Sequence, residues 1–442
     1  MAAGANNPYD PIFIDVPCQP SPYYTSGDII KGKVCIDPTK RPNTVSITFK
    51  GRCKVSIRVW DGTTTGKVHK ERVELFKKTL QLFTRSQTKS GYGIVEGGVG
   101  SDNKVRLPFQ FTFPTVVENQ PKWQFSPRED FEHKSGHVLP PSFRYNANTS
   151  IWDLEEQLVE YSLEAELYAS DESVPDNTSR LCLQFRPQAL ETDADRLLKT
   201  PKMFKGQAYV RTGDLIPGYD ESLKDKVLQV FSEKRNTKPW IRWRVDARVP
   251  HTLVSGTAIN GTLSFNLAEH SESLVEIPPV FLRRIRITLT AKYLVRISCV
   301  PSMNGSPNEL AERYSPERCL LDESFPEKSS LLYDGLSLSD IGSVQVPDDA
   351  VPDFKSFGFR VEHELEILLW AKCVGKEFKV TACRGDVQVV SHLSRPVNQS
   401  VHEPPNLYKG LPSPPPPPKD PPPPPSRHDL APPPYAPPPY SN

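Results

Sequence analysis

Long apolar runs, an excess of charge of one sign and catalytic signature motifs are all missing from this chain of 442 residues. Nowhere do 18 apolar residues follow one another, and the first ten residues contain neither a basic nor an apolar segment. These absences predict no membrane-spanning helix and no secretory signal, and therefore an intracellular protein. Lys and Arg number 54 against 53 Asp and Glu, so no overall field favours nucleic acid, and no nucleic-acid partner is predicted.

Signatures of enzymes and metal sites are missing as well. The sequence contains no His-Glu-x-x-His, Gly-x-Ser-x-Gly or Gly-x-x-x-x-Gly-Lys-Ser/Thr motif. None of the eight cysteines forms a Cys-x-x-Cys pair, and Cys35, Cys53 and Cys373 lie in strand-like runs, which favours reduced, buried thiols. His363 lies on an apolar face and is interpreted as a hydrogen-bonded core histidine. We therefore predict no catalytic residue, no cofactor and no metal.

Proline is abundant but unevenly distributed. Twenty of the 47 prolines lie after residue 394. Because a segment of this composition cannot bury a core, residues 394–442 are predicted to form a disordered proline-rich tail. The rest of the chain has an ordinary globular composition and is long enough for two sandwich-sized cores.

The dominant pattern before the tail is the two-residue alternation of half-buried β-strands. It is clearest from residue 45 to 59, where odd positions are apolar or small and even positions are polar. This stretch predicts an antiparallel strand pair or one long bent strand, with Gly51 at the bulge or bend. Prolines mark a further strand at 105–113 as an edge strand. Other strands predicted for a first β-sandwich, over residues 10–188, lie around 11–17, 23–37, 159–167 and 181–187.

Residues 189–238 lose this alternation and are predicted to be a connector between two lobes. Within them, apolar residues at helical spacing favour a short amphipathic helix over 221–234. A second sandwich is predicted over residues 239–393, and residues 299–330 are interpreted as an inserted loop in which Ser306-Pro307 begins a short helix. The strands predicted for this sandwich lie at 240–249, 263–267, 285–297, 359–373, 375–380 and 387–390.

Alternation within the strand that begins at Trp240 separates two faces. The residues predicted to face inward are Trp243, Val245, Ala247 and Val249. Those predicted to face outward are Arg242, Arg244, Asp246 and Arg248. The predicted fold class is therefore all-β, with two tandem sandwiches of immunoglobulin-like type.

The order of these segments resembles that of the α-arrestins, or arrestin-related trafficking adaptors. The resemblance covers roughly residues 11–393 and is carried by fragments such as Tyr24-Thr-Ser-Gly-Asp-Ile-Ile-Lys-Gly-Lys-Val, Leu107-Pro-Phe-Gln-Phe-Thr-Phe-Pro and Leu139-Pro-Pro-Ser-Phe. It implies two arrestin-like lobes, no catalytic activity and an adaptor role. Such adaptors bring HECT-type ubiquitin ligases that contain WW domains to membrane transporters or receptors, which are then ubiquitinated and endocytosed. The implied location is the cytoplasm, with peripheral recruitment to the plasma membrane and endosomes.

Two features of the arrestin superfamily have no counterpart that the sequence reveals. There is no clear clathrin box, and no polar core can be assigned from sequence. Direct coat binding and phosphate-triggered release are therefore not expected of this chain.

The last twelve residues contain two copies of Pro-Pro-x-Tyr, formed by Pro432, Pro433 and Tyr435 and by Pro437, Pro438 and Tyr440. Proline fixes φ near −65°, so each copy is preformed in the polyproline II conformation that aromatic grooves bind. The pattern resembles the PY motif that WW domains recognise. The five-residue offset spans about 15 Å, and the two tyrosines point to different sides, which favours one bound domain at a time.

Two rows of cations are predicted on exposed strand faces. Alternate residues of a strand lie about 6.6 Å apart on one face, so each row would present a line of positive charge. Such a line suits acidic or phosphorylated cytosolic tails, or the anionic inner leaflet of a membrane. The rows are Lys50, Arg52, Lys54 and Arg58 in the first lobe, and Arg284, Arg286, Lys292 and Arg296 in the second. An ordinary solvated sheet face is the alternative.

Two other functions fit the same sequence. An arrestin-like signalling scaffold, relaying receptor or ambient-pH signals, would form complexes without turnover of the bound membrane protein. A cytoskeletal protein would instead use Pro414–Pro418 and Pro421–Pro425, which lack a nearby tyrosine and suit SH3 domains or profilin. Only the first two functions depend on Tyr435 and Tyr440.

Overall fold

The computed structural model describes residues 6–18, 21–59, 67–85, 104–121, 128–146, 156–169, 174–187, 201–218, 238–301 and 307–391. These residues are nearly all β, which confirms the predicted fold class. They all belong to one compact unit that extends to Leu393. The helix predicted at 221–234 and the tail at 394–442 lie outside the described residues.

The first sandwich combines a three-stranded and a five-stranded antiparallel sheet. Its strands are β1 (Ile12–Asp15), β2 (Ile29–Ile36), β3 (Thr44–Val59), β4 (Lys67–Thr84), β5 (Val105–Thr112), β6 (Phe143–Asn146), β7 (Glu156–Tyr168) and β8 (Asn177–Leu183). The small sheet has the order β1-β2-β5, with β5 at its edge as predicted, and the large sheet has the order β4-β3-β7-β6, with β8 also on β7. Phe49 of the large sheet packs against Phe111 of the small one, with ring centroids 5.5 Å apart.

The alternating stretch at 45–59 forms one long strand, β3, which pairs with β4 on one side and β7 on the other. Its pairing with β4 shifts by one residue between Gly51 and Arg52, which confirms the predicted bulge. A Cβ atom at Gly51 would approach ring carbons of Phe76 and Tyr161 to 2.7 Å. Glycine is therefore required here, because the two buried rings close over the backbone.

The second sandwich combines a four-stranded sheet, of order β16-β12-β10-β9, with a seven-stranded sheet. In the large sheet the order is β11-β19-β18-β13-β14, with β15 on β13 and β17 on β18. Its strands are β9 (Pro201–Arg211), β10 (Trp240–Pro250), β11 (Thr252–Val254), β12 (Thr262–His270), β13 (Val280–Pro301), β14 (Pro307–Tyr314), β15 (Glu317–Ser324), β16 (Leu336–Ser337), β17 (Phe354–Lys355), β18 (Phe359–Cys373) and β19 (Lys376–Val390). The helices with described bounds are one α-helical turn (Leu338–Ile341) and two short 3-10 segments (Pro38–Lys40 and Gly213–Leu215).

Two regions interpreted as connecting structure contain strands. β9 lies inside the predicted connector, where it pairs along its whole length with β10. The described residues between 299 and 330, interpreted as an inserted loop, include the end of β13 and all of β14 and β15, and Pro307 begins a strand where a helix was predicted. The two interpretations were wrong for these strands. β9, β14 and β15 lie at sheet edges, where only part of one face is buried and alternation is weak.

The strand β13 joins the two sandwiches. Ile285, Ile287 and Leu289 in its first half are buried in the core of the second sandwich. Tyr293 and Ile297 in its second half are buried in the core of the first, where the ring of Tyr293 lies 5.0 Å from that of Phe143. Burial of apolar side chains along a single strand therefore holds the lobes together. Helices with the length and apolarity of a membrane span are lacking in the described ranges.

Candidate functional site

The two Pro-Pro-x-Tyr motifs, with Tyr435 and Tyr440, lie outside the described residues. The described residues include the predicted cation rows and a polar cluster between the lobes. The rows lie on the long strands β3 and β13, whose outer faces were predicted to be exposed. The groups around each cation decide whether it can bind an anionic partner.

Most cations of the first row are paired with carboxylates of β7. Arg52 lies opposite Glu160 and donates to it at 3.0 Å. Lys50 and Lys54 reach diagonal partners, with Nζ atoms 2.5 Å from Glu164 and 2.6 Å from Glu156. Arg58 lies beyond the end of this ladder and is half-exposed. An incoming anion would have to displace a carboxylate at each of the three paired cations.

Two cations of the second row, Arg284 and Lys292, are also paired with carboxylates. A third member, Arg286, is half-buried. Arg284 makes two hydrogen bonds to Asp322, both of 2.6 Å, which lower the pKa of that carboxyl group. The Nζ atom of Lys292 lies 2.7 Å from Glu364, and this hydrogen bond raises the pKa of the ammonium group. Lys292 also contacts Asp386 at 2.9 Å.

Arg296, the last member of that row, is buried and not exposed, so the prediction for this residue was wrong. Its side chain is inaccessible to solvent. Nε donates to the carbonyl oxygen of Phe357 at 2.6 Å, and Nη2 donates to that of Glu132 at 3.1 Å. The guanidinium lies 4.2 Å from the ring centroid of Phe131. The strand is covered on both faces here, because a segment of the first lobe packs over the side that alternation assigns to solvent.

Arg296 belongs to a cluster that ties the first lobe to the second. In the segment 128–137 of the first lobe, the amide of Glu132 donates to the carbonyl of Ser356 at 3.2 Å. Nε2 of His137 lies 3.4 Å from the hydroxyl of Ser356, and its ring packs edge-on against Phe357, 4.8 Å away. Nη2 of Arg296 also lies 3.4 Å from Nδ1 of His133. We call Arg296, Glu132, His133, His137 and Ser356 the interlobe cluster. The sequence offered no periodic signal for it, because its members come from three separate segments.

His137 gives this cluster a pH dependence. Burial lowers the pKa of its imidazole, and the hydrogen bond to the carbonyl of Lys134 and the charge of Glu132 oppose that shift only in part. Between the lowered folded value and the unfolded value of about 6.5, the unfolded chain binds more protons. Stability should therefore fall as the pH drops through about 6.5 towards the folded pKa.

We expect His137→Gln to make stability less dependent on pH over about pH 7.5 to 5.5. The measurement is the midpoint of urea unfolding at several pH values in that range. His270→Gln, which removes an exposed histidine of β12, serves as the control and should keep the slope of the parent chain. An identical slope for the parent and His137→Gln would contradict the expectation.

Other polar groups have structural roles. His363 is buried and its Nδ1 lies 2.6 Å from Asp353, as expected of a hydrogen-bonded core histidine. Cys35, Cys53 and Cys373 are buried, and burial raises the pKa of Cys53 to about 12. The part of the chain that the structure describes contains no group of three or more His, Cys, Asp or Glu side chains placed to hold a metal ion.

No family model matches this chain, and no curated protein does either. The resemblance to α-arrestins therefore rests on the order of the sequence segments and on the Pro-Pro-x-Tyr motifs.

Proposed function

We propose that the chain is a non-enzymatic adaptor of the α-arrestin type. It recruits a WW-domain HECT-type ubiquitin ligase through Tyr435, Tyr440 and their prolines, and it binds the cytosolic parts of membrane transporters or receptors through its lobes. Ubiquitination and endocytosis of the bound membrane protein follow. The chain would act in the cytoplasm and be recruited peripherally to the plasma membrane and endosomes.

The observation that carries this proposal is the pair of Pro-Pro-x-Tyr motifs within ten residues. A WW domain binds a ligand more tightly when the ligand is already in the polyproline II conformation, because little backbone conformational entropy is lost on binding. Each tyrosine adds a flat apolar ring with a polar tip, which supplies the specificity that proline alone lacks. Two joined sandwiches with apolar cores support the same function, since they offer broad sheet faces to a client protein.

A competition experiment separates the proposal from the cytoskeletal alternative. The full chain is immobilised and exposed in turn to a purified WW domain, an SH3 domain and profilin. We expect the WW domain to be retained and then displaced by a peptide of residues 431–442, but not by the same peptide with both tyrosines replaced by alanine. Retention of the SH3 domain or profilin, insensitive to that peptide, with no WW retention would favour the use of Pro414–Pro418 and Pro421–Pro425.

Loss of the bound membrane protein from the cell surface distinguishes an endocytic adaptor from a signalling scaffold. Membrane proteins captured with the full chain should lose surface abundance when the chain is expressed, and the loss should disappear with Tyr435→Ala/Tyr440→Ala. Tyr9→Ala, at a tyrosine that is 94% exposed, is the matched control. Stable complexes without any change in surface abundance would favour the scaffold.

A further inference from the structure

The outer face of the four-stranded sheet is a third basic surface, and it includes a strand that the sequence did not predict. β10 turns Arg242, Arg244 and Arg248 outward, as its alternation predicted, and these residues are half-exposed or exposed. β9 adds Lys205, which lies opposite Asp246 in the register of the two strands. We call the following five cations the basic face: Lys205, Arg211, Arg242, Arg244 and Arg248.

Carboxylates balance this face only in part. Asp246 is buried and forms an ion pair with Arg244, whose Nε lies 2.9 Å from its Oδ2. Glu269 of β12 accepts a hydrogen bond from Arg242 at 3.1 Å. Lys205 and Arg248 are exposed, and neither makes an ion pair with a carboxylate in the described ranges. The basic face therefore retains positive charge, in contrast to the ladders around Lys50 and Lys292.

Exposed apolar side chains lie among these cations. Tyr209 and Met203 of β9 are each 45% exposed and point to the same side of the sheet as Lys205. The rings of Tyr209 and Trp240 are tilted to each other with centroids 6.0 Å apart, and the guanidinium of Arg211 lies 5.5 Å from the centroid of the Tyr209 ring. A mixture of arginine, tyrosine and methionine is typical of surfaces that bind other proteins.

The spacing of the cations favours an extended peptide as the occupant. Arg242 and Arg244 are alternate residues of one strand and so lie about 6.6 Å apart, while Lys205 and Arg248 are diagonal neighbours at about 7–8 Å. An extended peptide repeats its side chains on one face at the same interval of about 6.6 Å. Carboxylate or phosphate groups at alternate positions would match the cations, and intervening apolar residues would meet Tyr209 and Met203.

We propose that the basic face binds an extended acidic segment of the client membrane protein. The inference rests on the proposed function, because it assigns the client-binding surface of the adaptor. It replaces the two predicted cation rows as the main anionic site, since most members of those rows are already paired with carboxylates of their own sheets.

The test uses the full chain and a fluorescein-labelled peptide of six Glu-Thr repeats, with six Gln-Thr repeats as the neutral probe. Binding is followed by fluorescence anisotropy. The acidic peptide should bind, its affinity should fall as salt is raised, and Lys205→Glu/Arg248→Glu should weaken it at least about tenfold through like-charge repulsion. Both residues are exposed and lack ion pairs within the described chain, so this variant should fold; circular dichroism checks that it does.

A matched control reverses the charge of one arginine and one lysine outside the basic face. Arg313→Glu/Lys376→Glu changes the net charge equally at two exposed residues and should alter the affinity less than about twofold. If the charge-reversed variant loses structure, Lys205→Gln/Arg248→Gln gives the same comparison. Equal weakening in the control, or unchanged affinity in Lys205→Glu/Arg248→Glu, overturns the proposal.

Two further measurements test whether a membrane binds the basic face instead of a peptide, and whether the basic face acts independently of the ligase contact. Vesicles of phosphatidylcholine with phosphatidylserine test a membrane as the occupant, and vesicle binding that depends on Lys205 and Arg248 without peptide binding overturns the proposal. Retention of a WW domain should be the same for the parent chain and Lys205→Glu/Arg248→Glu. Loss of peptide binding with intact WW retention therefore assigns the basic face independently of the ligase contact.

Discussion

Replacing Arg296 by methionine is expected to lower the free energy of unfolding by about 2–4 kcal/mol, because two backbone carbonyl oxygens would lose a charged hydrogen-bond donor. The carbonyl oxygen of Phe357 would lose its donor in a buried contact, and that of Glu132 would lose its donor in a part-buried one. Each carbonyl left without a donor costs about 1–3 kcal/mol. Methionine fills much of the space, so the loss reflects hydrogen bonds more than packing.

The measurement is urea unfolding followed by tryptophan fluorescence, with Arg313→Met as the control. Arg313 is an exposed arginine on the neighbouring strand β14, and its replacement should change stability by less than about 0.5 kcal/mol. Hydrogen exchange gives a second readout, because the amide of Glu132 donates across the lobe boundary to Ser356. That amide should exchange faster in Arg296→Met. Equal stability of the two variants would contradict a structural role for Arg296.

Arg296 also marks the limit of alternation as a guide to exposure. The pattern at 285–297 correctly assigned Ile285, Ile287 and Leu289 to a buried face. Alternation assumes that the opposite face meets water, and this holds for Arg284 but fails for Arg296, where the first lobe covers the strand. The burial of Arg296 results from contact with a segment that is distant in sequence, and a local alternation pattern contains no information about such contacts.

Strands with one buried face were predictable from sequence. β3 and β18 combine a regular inner row with a polar outer row, and their positions followed directly from that pattern. β15 is exposed or half-exposed along its whole length, so no apolar row reveals it. β9 mixes an inward Gly206 with outward Met203 and Tyr209, which hides its alternation and led to its assignment as a connector.

The cation rows show that strand alternation predicts where charged side chains lie but not which groups they pair with. Their placement on one strand face followed from spacing, whereas the partners of Lys50, Arg52 and Lys54 come from a strand more than 100 residues away. Sequence therefore located the cations without revealing that they are neutralised. The basic face became apparent only when β9 placed Lys205 beside the arginines of β10.

The largest expected effect on binding belongs to Tyr435 and Tyr440. An aromatic anchor in a groove commonly contributes about 2 kcal/mol or more, and each motif supplies one to the single bound domain, so removing both rings should weaken WW binding by at least about 30-fold. Stability should not change, because the motif is predicted to lie in a disordered tail that packs on neither sandwich. The five-residue offset also predicts one bound WW domain per chain, since two domains would overlap within about 15 Å.

Calorimetric titration of an isolated WW domain into the full chain tests the adaptor function most directly. The expected result is saturation at one domain per chain for the parent and for Tyr9→Ala, and no measurable heat of binding for Tyr435→Ala/Tyr440→Ala. Undiminished binding by the double variant would contradict the proposal that these tyrosines recruit the ligase.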